Sequence, residues 1–576
     1  MALTIIRHHA SEWPELPVSP LLQRIYAHRS IRSAEELIHT LDRLPDPATL
    51  TGMAAAVALL ERALRTQQRI VIVADYDADG ATSCALAVKA LQAMGAHTVR
   101  YVVPNRFDYG YGLTPESVAL AAEQQPDVLV TVDNGIASVE GVAAARQRGW
   151  QVLITDHHLP GTVLPAADAI VNPNLPNESF PSRHLAGVAV IFYVLSALRR
   201  RLRASGWFAE QGIEIPNMGQ FLDLVAFGTV ADVVQFDQVN RILVEQGLRR
   251  IRAGRTCPGI LALCEIANRD PARLSAKDIG FALGPRLNAA GRLDEMALGI
   301  RCLLSDSMSA ARGYAAELNQ FNHERRDIEG EMLHHALEQL AEQSSAERPL
   351  GLCLYDERWH QGVIGILASR LRERIHRPVI AFAPDKNGQI KGSARSIAGL
   401  HIRDVFAAIA TAHSGLITTF GGHAMAAGLS LEHSQFEVFQ AAFDSEVRRR
   451  INSEDLNGVV YSDGELTAEE LSLPVAESLS AAGPWGQGFP EPVFDGVFTI
   501  VSGRVLQDKH LKLVLNPADS RHIVDGIAFN QAADFGSPQP GQTVRIAYRL
   551  EVNEWRGRRS AQLLIEAIID QDNQSA

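Results

Sequence analysis

The sequence predicts a multidomain α/β protein: a parallel-sheet domain, a long connecting helix, a second and smaller α/β domain, and a C-terminal all-β barrel or sandwich. Three patterns carry this. Short β-branched apolar runs alternate with Ala-rich helical stretches from about residue 69 to 232, one amphipathic helix extends across residues 314–340, and strand-like runs follow closely from about 490 to 570.

In the first region RIVIVA (69–74) precedes a helix-like CALAVKALQAMGA (84–96), and DVLVTV (127–132) precedes IASVEGVAAARQRG (136–149), after which QVLIT (151–155) begins. Strand, helix, strand in short cycles is the pattern of a parallel sheet with right-handed crossovers. QFLDLVAFGTVADVV (220–234) is mostly apolar, enters a further acidic turn, and is ambiguous between a helix and a buried strand. Tyr314, Leu318, Phe321, Ile328, Met332, Ala336 and Leu340 then recur at spacings of three, four or seven. They predict one helix of about 30 residues, some 45 Å long, suited to connecting domains or to lying inside one. AEQSSAERP (341–349) ends it. The second α/β unit has LGLCLYD, a helix in GVIGILASRLRERI, then PVIAFA, and closes near 450 before INSEDLNG (451–458). In the tail, VFTIVSGRVL, LKLVL, VDGIAF, TVRIAYRLEVNEW and SAQLLIEAII are separated by turn residues at short spacing. The expected boundaries are 1–50 for an N-terminal segment, 51–295 for the parallel-sheet domain and 296–345 for the helical connector. The second α/β domain takes 346–450, and the barrel with its lead-in takes 451–576.

Composition narrows the function classes. With 46% hydrophobic and 21% charged residues over 576 positions, the chain is neither disordered, collagenous nor coiled coil. No apolar run reaches the roughly 18–20 residues that span a bilayer. Pro14 and Pro17 interrupt an N-terminus that lacks an apolar signal core, so secretion is not expected. Cys84, Cys257, Cys264, Cys302 and Cys353 are odd in number and form no C-x-x-C pair, which suits a reducing cytoplasm and argues against a zinc finger or disulfide framework. The net charge of −12, taken alone, opposes a nucleic-acid partner. Yet Arg199, Arg200, Arg201 and Arg203 cluster, as do Arg249, Arg250, Arg252 and Arg255, and Arg545, Arg549, Arg556, Arg558 and Arg559. Each cluster reads as a phosphate-binding patch or as a solvated face. The global charge therefore excludes nothing.

The strongest chemical signal is Asp75-Tyr76-Asp77-Ala78-Asp79-Gly80, at the end of RIVIVA. If the chain stays extended there, residues i, i+2 and i+4 project to one side, aiming three carboxylates at one spot with no Lys or Arg in the window. Their repulsion calls for a cation; a solvated acidic loop is the bland alternative. Three further acids strengthen the first reading. Asp133 follows DVLVTV in Asp133-Asn134-Gly135, Asp156-His157-His158 follows QVLIT, and Asp232 ends AFGTVAD. Each falls at the carboxyl end of an apolar run, the edge of a parallel sheet where ligands bind. Oxygen-rich, imidazole-containing, sulfur-free ligation suits Mn²⁺ or Mg²⁺. So many carboxylates suggest two ions about 3.5–4 Å apart.

These residues resemble the DHH phosphoesterase superfamily, and within it the branch of single-strand-specific 5′→3′ DNA exonucleases. DYDADGATS, PNRFDYGYGL, VDNGI, TDHH, GPRLNAAGR, WHQGVIGILASRL, GSARS, GGHAMAAG and PWGQGFPEPVF match it in order, over nearly the whole chain. The superfamily often opens its first motif with His, where this chain has Asp75. That is the exonuclease form rather than the form of the small oligonucleotide or cyclic-dinucleotide phosphodiesterases. The resemblance implies a DHH catalytic domain, a DHHA1-type second domain and an OB-fold barrel. It implies Asp75, Asp77, Asp79, Asp133, His157 and Asp232 as ligands of two divalent cations, Mn²⁺ favoured by the imidazole and Mg²⁺ possible, with Asp133 bridging. Asp77, Asp133 and His158 become the catalytic residues, His158 touching the scissile phosphate or orienting a ligand, and Asp156 supports from behind.

Substrate contacts are expected elsewhere as well. Arg286 and Arg292, around Asn288 and small residues, suit close approach to phosphates or plain structural ion pairs. His360 opens a helix-like run, Ser393 and Arg395 share a Gly- and Ser-containing loop, and Gly421-Gly422-His423 offers backbone N–H groups beside an imidazole. The resemblance directs Arg395 and His423 at DNA phosphates. Trp485, Phe489, Phe494, Phe498 and Trp555 read either as bases' stacking partners or as core of the small barrel.

The implied activity is hydrolysis of single-stranded DNA to 5′-mononucleotides by a two-metal route, in DNA repair and recombination. The alternatives are a DHH phosphodiesterase of short oligonucleotides and a non-catalytic DNA-binding relative that has lost its metal site. A single-strand-binding protein and a RecQ-type helicase are the protein partners the resemblance suggests; no membrane is.

Overall fold

The computed structural model describes residues 3–9, 13–341, 349–518 and 520–570. Contacts divide the chain into two units. One holds residues 10–322 with 481–491; the other holds 1–9, 323–480 and 492–576.

The first unit is built on β2 (Ile70–Ala74), β3 (Val99–Val102), β4 (Val128–Val132), β5 (Gln151–Thr155) and β6 (Ala169–Val171); β1 (Leu3–Arg7) belongs to the second unit. Among the described residues they form one all-parallel sheet in the order β3-β2-β4-β5-β6. The central strands β2 and β4 are buried along their whole length and almost wholly apolar, because both faces are covered. Ile70, Ile72, Ala74, Val128, Val130 and Val132 face a large core with helices Met53–Arg65, Ala78–Ala93 and Gly187–Ala204. Val71, Val73, Leu129, Val152 and Ile154 face a smaller core shared with helices Pro115–Ala122 and Val139–Gln147. Ala74 is level with Val132, Val132 with Thr155, and Thr155 with Val171. The acids that follow β2, β4 and β5 therefore leave the sheet at one edge. β3 and β4 flank β2 on opposite sides, so this edge contains a topological switch point, where a crevice opens.

Several expectations change here. The helix after the first acidic motif starts at Ala78, not beyond Gly80. The ambiguous run is a short 3₁₀ turn followed by helix Leu222–Ala231; its uniform apolarity reflects burial on every side, which removes the helical period from the sequence. The expected N-terminal segment is divided: β1 pairs with the strand Gly458–Ser462 in the second unit, while Leu16, Tyr26, Ile31 and Leu50 lie in the first unit's core.

The amphipathic helix runs Met308–Ala341, 34 residues, and crosses the boundary between the units at 322–323. Most of the polar stretch expected to end it, residues 342–348, lies outside the described residues.

In the second unit, β7 (Leu352–Tyr355), β8 (Val379–Pro384), β9 (Gln389–Arg395), β10 (Thr419–Gly422) and β11 (Ala426–Glu432) form a mixed sheet in the order β10-β11-β9-β8-β7. Helices Ile364–Ile375, Ile402–Ala412 and Phe436–Arg450 accompany it. β1 pairs in parallel with β12 (Gly458–Ser462). The tail is a closed barrel rather than a sandwich. β13 (Phe494–Leu506), β14 (His510–Pro517), β15 (Val524–Ala528), β16 (Thr543–Trp555) and β17 (Arg558–Asp570) close in the order β13-β14-β15-β17-β16. Closure leaves no sheet edge.

Candidate functional site

The acids at the sheet edge are presented in four ways. Asp75 continues β2, its N–H still reaching Val132 O at 3.4 Å. Asp77 is the N-cap of helix Ala78–Ala93, its Oδ1 accepting from Asp79 N at 2.9 Å and Gly80 N at 3.0 Å. Asp79 lies in the first turn of that helix. Its Oδ2 accepts from Gly187 N at 2.6 Å and its Oδ1 from Val188 N at 2.9 Å, at the start of helix Gly187–Ala204. The three carboxylates thus converge through a cap and a helical turn, not along an extended strand. Gly80 is required because a Cβ there would lie 2.4 Å from Asp75 O.

Asp133 follows β4 with φ +62°, a left-handed conformation unusual outside glycine, and its side chain is buried. Gly187 accommodates it, since a Cβ on residue 187 would come within 2.6 Å of the Asp133 Cβ. His157 follows β5, and His158 Nδ1 lies 2.8 Å from Asp156 Oδ1. Asp156 itself is buried and also accepts from the backbone N–H groups of Ile136, His157 and His158. Asp232 comes from elsewhere than expected: it caps the carboxyl end of helix Leu222–Ala231 rather than a strand.

Ligand atoms of Asp75, Asp77 and Asp133 lie within 4.8 Å of one another, as do those of Asp79, His157 and Asp232, and those of Asp133, His157 and His158. Asp133 Oδ1 and His157 Nε2 are buried without a hydrogen-bond partner although only 3.1 Å separates them. A carboxylate oxygen and an imidazole nitrogen left open side by side, ringed by further carboxylates, suit a divalent cation.

The electrostatics agree. Burial, reinforced by Asp77, raises the Asp75 carboxyl well above its usual range. Burial and then Asp232 push Asp79 up to about 7; burial and then Asp77 push Asp232 up to about 8. Asp133 is raised by burial and by Asp79. Such a cluster is ill at ease without positive charge. Burial lowers His157, leaving a neutral imidazole suited to ligation. For His158 burial is outweighed by the Asp156 hydrogen bond and nearby carboxylates, which lift it to about 9.

Helix Gly284–Leu293 brings the next group to this edge. Asn288 Oδ1 accepts from Ala78 N at 2.7 Å, and Gly291 packs so closely on Tyr76 O that a Cβ would stand 1.8 Å away. Arg292 lies on the same helix within electrostatic reach of Tyr76. Arg286 instead donates to Asn319 Oδ1 at 3.0 Å and Ala282 O at 2.6 Å, holding the helix to its neighbours.

Sequence reasoning missed Tyr111 and Arg106. The Tyr111 hydroxyl lies 3.0 Å from His158 Nδ1, its ring meets Tyr76 edge-on at 6.1 Å, and the Arg106 guanidinium covers Tyr76 at 4.6 Å. The signal that could find them is the glycine-flanked PNRFDYGYGL, in which Arg106 and Tyr111 stand among turn residues.

His360, Ser393, Arg395, Gly422 and His423 belong to the second unit. Arg395 is mostly buried, yet its hydrogen bonds go to Ser369 Oγ at 3.1 Å, Ser393 Oγ at 3.2 Å and Ala394 O at 2.8 Å, none of them a carboxylate. Gly365, at the head of helix Ile364–Ile375, would place a Cβ 3.1 Å from Arg395 Nη2. Arg395 pairs in register with Ala426 and Gly422 with Ala427, which sets the tight turn at His423 beside the end of β9. His360 Nδ1 accepts from Gly362 N at 3.1 Å ahead of the same helix.

The barrel aromatics divide. Phe494 and Phe498 are core; Trp485 and Phe489 pack into the first unit; Trp555 is 69% exposed, with the Arg556 guanidinium 5.7 Å from its ring. About half of the arginines in the basic clusters face carboxylates. Arg200 pairs with Asp46, Arg201 with Glu61, Arg249 and Arg252 with Glu245, Arg545 with Asp495, Arg549 with Glu566 and Arg559 with Glu477. No helix among the described residues is long and apolar enough to cross a membrane.

Comparison with known proteins places this geometry. Residues 69–229 match the DHH family, N-terminal domain; 350–449 match the DHHA1 domain; 462–567 match the RecJ OB domain. The chain is 54% identical over 569 residues to the single-stranded-DNA-specific exonuclease RecJ of Dickeya dadantii, covering 98% of this chain and 99% of that protein. It is 50% identical to its namesake from Escherichia coli, with 98% of each covered. The crystal structure of RecJ from Thermus thermophilus in complex with Mn²⁺ superposes with a TM-score of 0.81 at 30% identity, covering 99% of this chain and 79% of that one. The same protein in complex with Mg²⁺ gives a TM-score of 0.75 at 29% identity, covering 98% and 78%.

Proposed function

Because this chain belongs to the RecJ family of single-stranded-DNA-specific exonucleases, we propose that it hydrolyses single-stranded DNA from the 5′ end to 5′-mononucleotides. The single observation that carries the chemistry is the partnerless Asp133 Oδ1 and His157 Nε2 at the centre of a buried acidic cluster.

In this reading Asp75, Asp77, Asp79, Asp133, His157 and Asp232 would hold two divalent cations, the buried Asp133 standing closest to both groups of ligands. Both oxygens of Asp79 already accept backbone N–H groups, but each keeps a lone pair for a cation. Bound Mn²⁺ or Mg²⁺ supplies charge neutralisation at the phosphoryl oxygens and acidifies the attacking water. The chain's own groups do the rest. His158, kept protonated near neutral pH by Asp156, donates a hydrogen bond to a phosphoryl oxygen, and Tyr111 fixes its ring. Asn288 and Arg292 steady the first acidic loop and face the strand's phosphates. In the second unit Arg395, held by serines without a carboxylate, together with Ser393, His360, Gly422 and His423, offers contacts for phosphates of the substrate.

The domain boundaries that go with this reading are a DHH domain ending near 295, a connector to 345, a DHHA1 domain to 450 and the OB fold beyond. Work in the cytoplasm, in repair and recombination, beside a single-strand-binding protein and a RecQ-type helicase, rests on family kinship alone. A short-oligonucleotide phosphodiesterase needs no barrel of this kind, and a non-catalytic relative needs no complete ligand set.

Digestion of one long single-stranded DNA, labelled at the 5′ end in one tube and the 3′ end in another, tests the proposal. Early release of the 5′ label as mononucleotide, with gradual shortening of 3′-labelled strands, is expected in Mn²⁺ and not in EDTA. Cleavage confined to dinucleotides would replace the proposal with the short-substrate reading.

A further inference from the structure

The segment Gly483–Phe489 lies just over 250 positions beyond Asp232 in sequence, between residues of the other unit, yet it packs into the first unit against the turn that follows Asp232. That turn is unusual. Val233 adopts φ +63° with 63% of its surface exposed. A β-branched residue in the left-handed region costs on the order of 1–3 kcal/mol and persists only where its surroundings dictate it.

The surroundings are this segment. Phe236 N donates to Gln487 O at 2.7 Å. Gly486 lies flat on the buried Phe236 ring, where a Cβ would stand 2.6–2.7 Å from three ring carbons. Gly486 and Phe489 exchange backbone hydrogen bonds of 2.9 and 3.1 Å, closing the segment into a tight loop. The loop is fastened in turn. Phe489 stacks on Trp485 at 5.1 Å and carries the buried Arg241 guanidinium at 4.5 Å; Arg241 Nη1 donates back to Phe236 O at 3.0 Å. Tyr26 donates its hydroxyl to Ala482 O at 2.8 Å, and Arg29 Nε donates to Pro490 O at 2.8 Å. One end of the turn is therefore clamped at Phe236, and the other is Asp232, whose Oδ2 lies 3.5 Å from His157 Nε2.

We infer that the Gly483–Phe489 loop is a positioning element of the metal centre: by clamping Phe236 it fixes the strained turn and thereby the Asp232 carboxylate. This rests on the proposed ligand role of Asp232. Groups that orient a metal ligand from behind typically control affinity by about 10–100-fold.

The test is Mn²⁺ titration of the full chain by calorimetry, with thermal melting in EDTA to show that each variant folds. Wild type is expected to bind two ions per chain. Gly486→Ala, which drives a methyl into the Phe236 ring, is expected to weaken one of the two by about tenfold or more and leave the other within about threefold. Adding Phe236→Leu, which removes the clashing ring carbons, is expected to restore the lost affinity; a merely structural loop would show no such rescue. If Gly486→Ala does not fold, Phe489→Leu takes its place with the same readout. Two ions bound with wild-type affinity by a folded clamp variant would overturn the inference. A wild type that binds no Mn²⁺ would instead overturn the underlying assignment.

Discussion

Asp133 Oδ1 and His157 Nε2 stand 3.1 Å apart, both shielded from solvent and neither engaged in a hydrogen bond. Buried polar atoms are nearly always satisfied, so a pair left open at the centre of five further acids and imidazoles defines where positive charge belongs. The consequences are measurable.

Replacing Asp133 with Asn removes the proposed bridging ligand. Exonuclease activity is expected to fall by about 10³-fold or more, with Mn²⁺ stoichiometry reduced. In EDTA the variant is expected to melt higher than wild type, because one member of a mutually repelling buried cluster is gone. A variant both inactive and less stable in EDTA would mean that Asp133 holds the fold rather than the ions.

Metal-free protein is expected to lose stability as pH rises. The raised carboxyls, Asp79 to about 7 and Asp232 to about 8, bind protons in the native state that the unfolded chain has already released above about 4. Their contribution is complete below pH 4 and lost as pH climbs through 7 and 8. Urea midpoints in EDTA at pH 6 and 8.5 should show the decline, and saturating Mn²⁺ should flatten it. A midpoint that rises with pH in EDTA would contradict the arrangement.

His158→Ala is expected to lower kcat by about 10²–10⁴-fold while Mn²⁺ affinity changes little, since the ring is assigned to the phosphate. Asp156→Asn removes the partner that keeps His158 near pKa 9 and should move the alkaline limb of the rate profile to lower pH. A large loss of metal binding in His158→Ala would reassign the residue as a ligand.

Arg395→Ala is expected to raise KM for single-stranded DNA about tenfold or more with a smaller change in kcat, and to flatten the salt dependence. Arg395→Lys should not rescue it, because an ammonium cannot reproduce the fork held by Ser369 and Ser393. An unchanged KM would leave Arg395 a purely structural arginine.

Asp495 ties the barrel to the N-terminal strand: its buried carboxylate accepts from Arg7 Nε at 2.9 Å, Ser462 Oγ at 2.6 Å and Arg545 Nη2 at 2.7 Å. These bonds outweigh burial and hold it down to about 2. Asp495→Asn should destabilise by about 2 kcal/mol at pH 7, with half-exposed Arg7 limiting the cost. Wild-type melting in the variant would contradict this.

The parallel sheet and its acidic edge were legible because strands buried on both faces write continuous apolar runs, each closed by its acid. Asp232 was found for a partly wrong reason: a helix buried all round writes the same run as a strand. Asp77 and Asp79 converge because one caps and one begins a helix, which Ala and Gly at 78 and 80 did not advertise. Trp485 and Phe489 were assigned to the barrel by proximity in sequence, and only tertiary packing returns them to the first unit. The basic clusters stayed open between two readings because several of their carboxylate partners, such as Asp46 and Glu61, lie far away in sequence.

The central claim is that one bridging aspartate organises two cations at the crevice between β2 and β4. Anomalous diffraction at the manganese edge from Mn²⁺-soaked crystals tests it most directly. Two peaks about 3.5–4 Å apart, one shared by Asp75 and Asp77, the other by His157 and Asp232, with Asp133 touching both, are the predicted result. A single peak, or a pair that Asp133 does not reach, would contradict it.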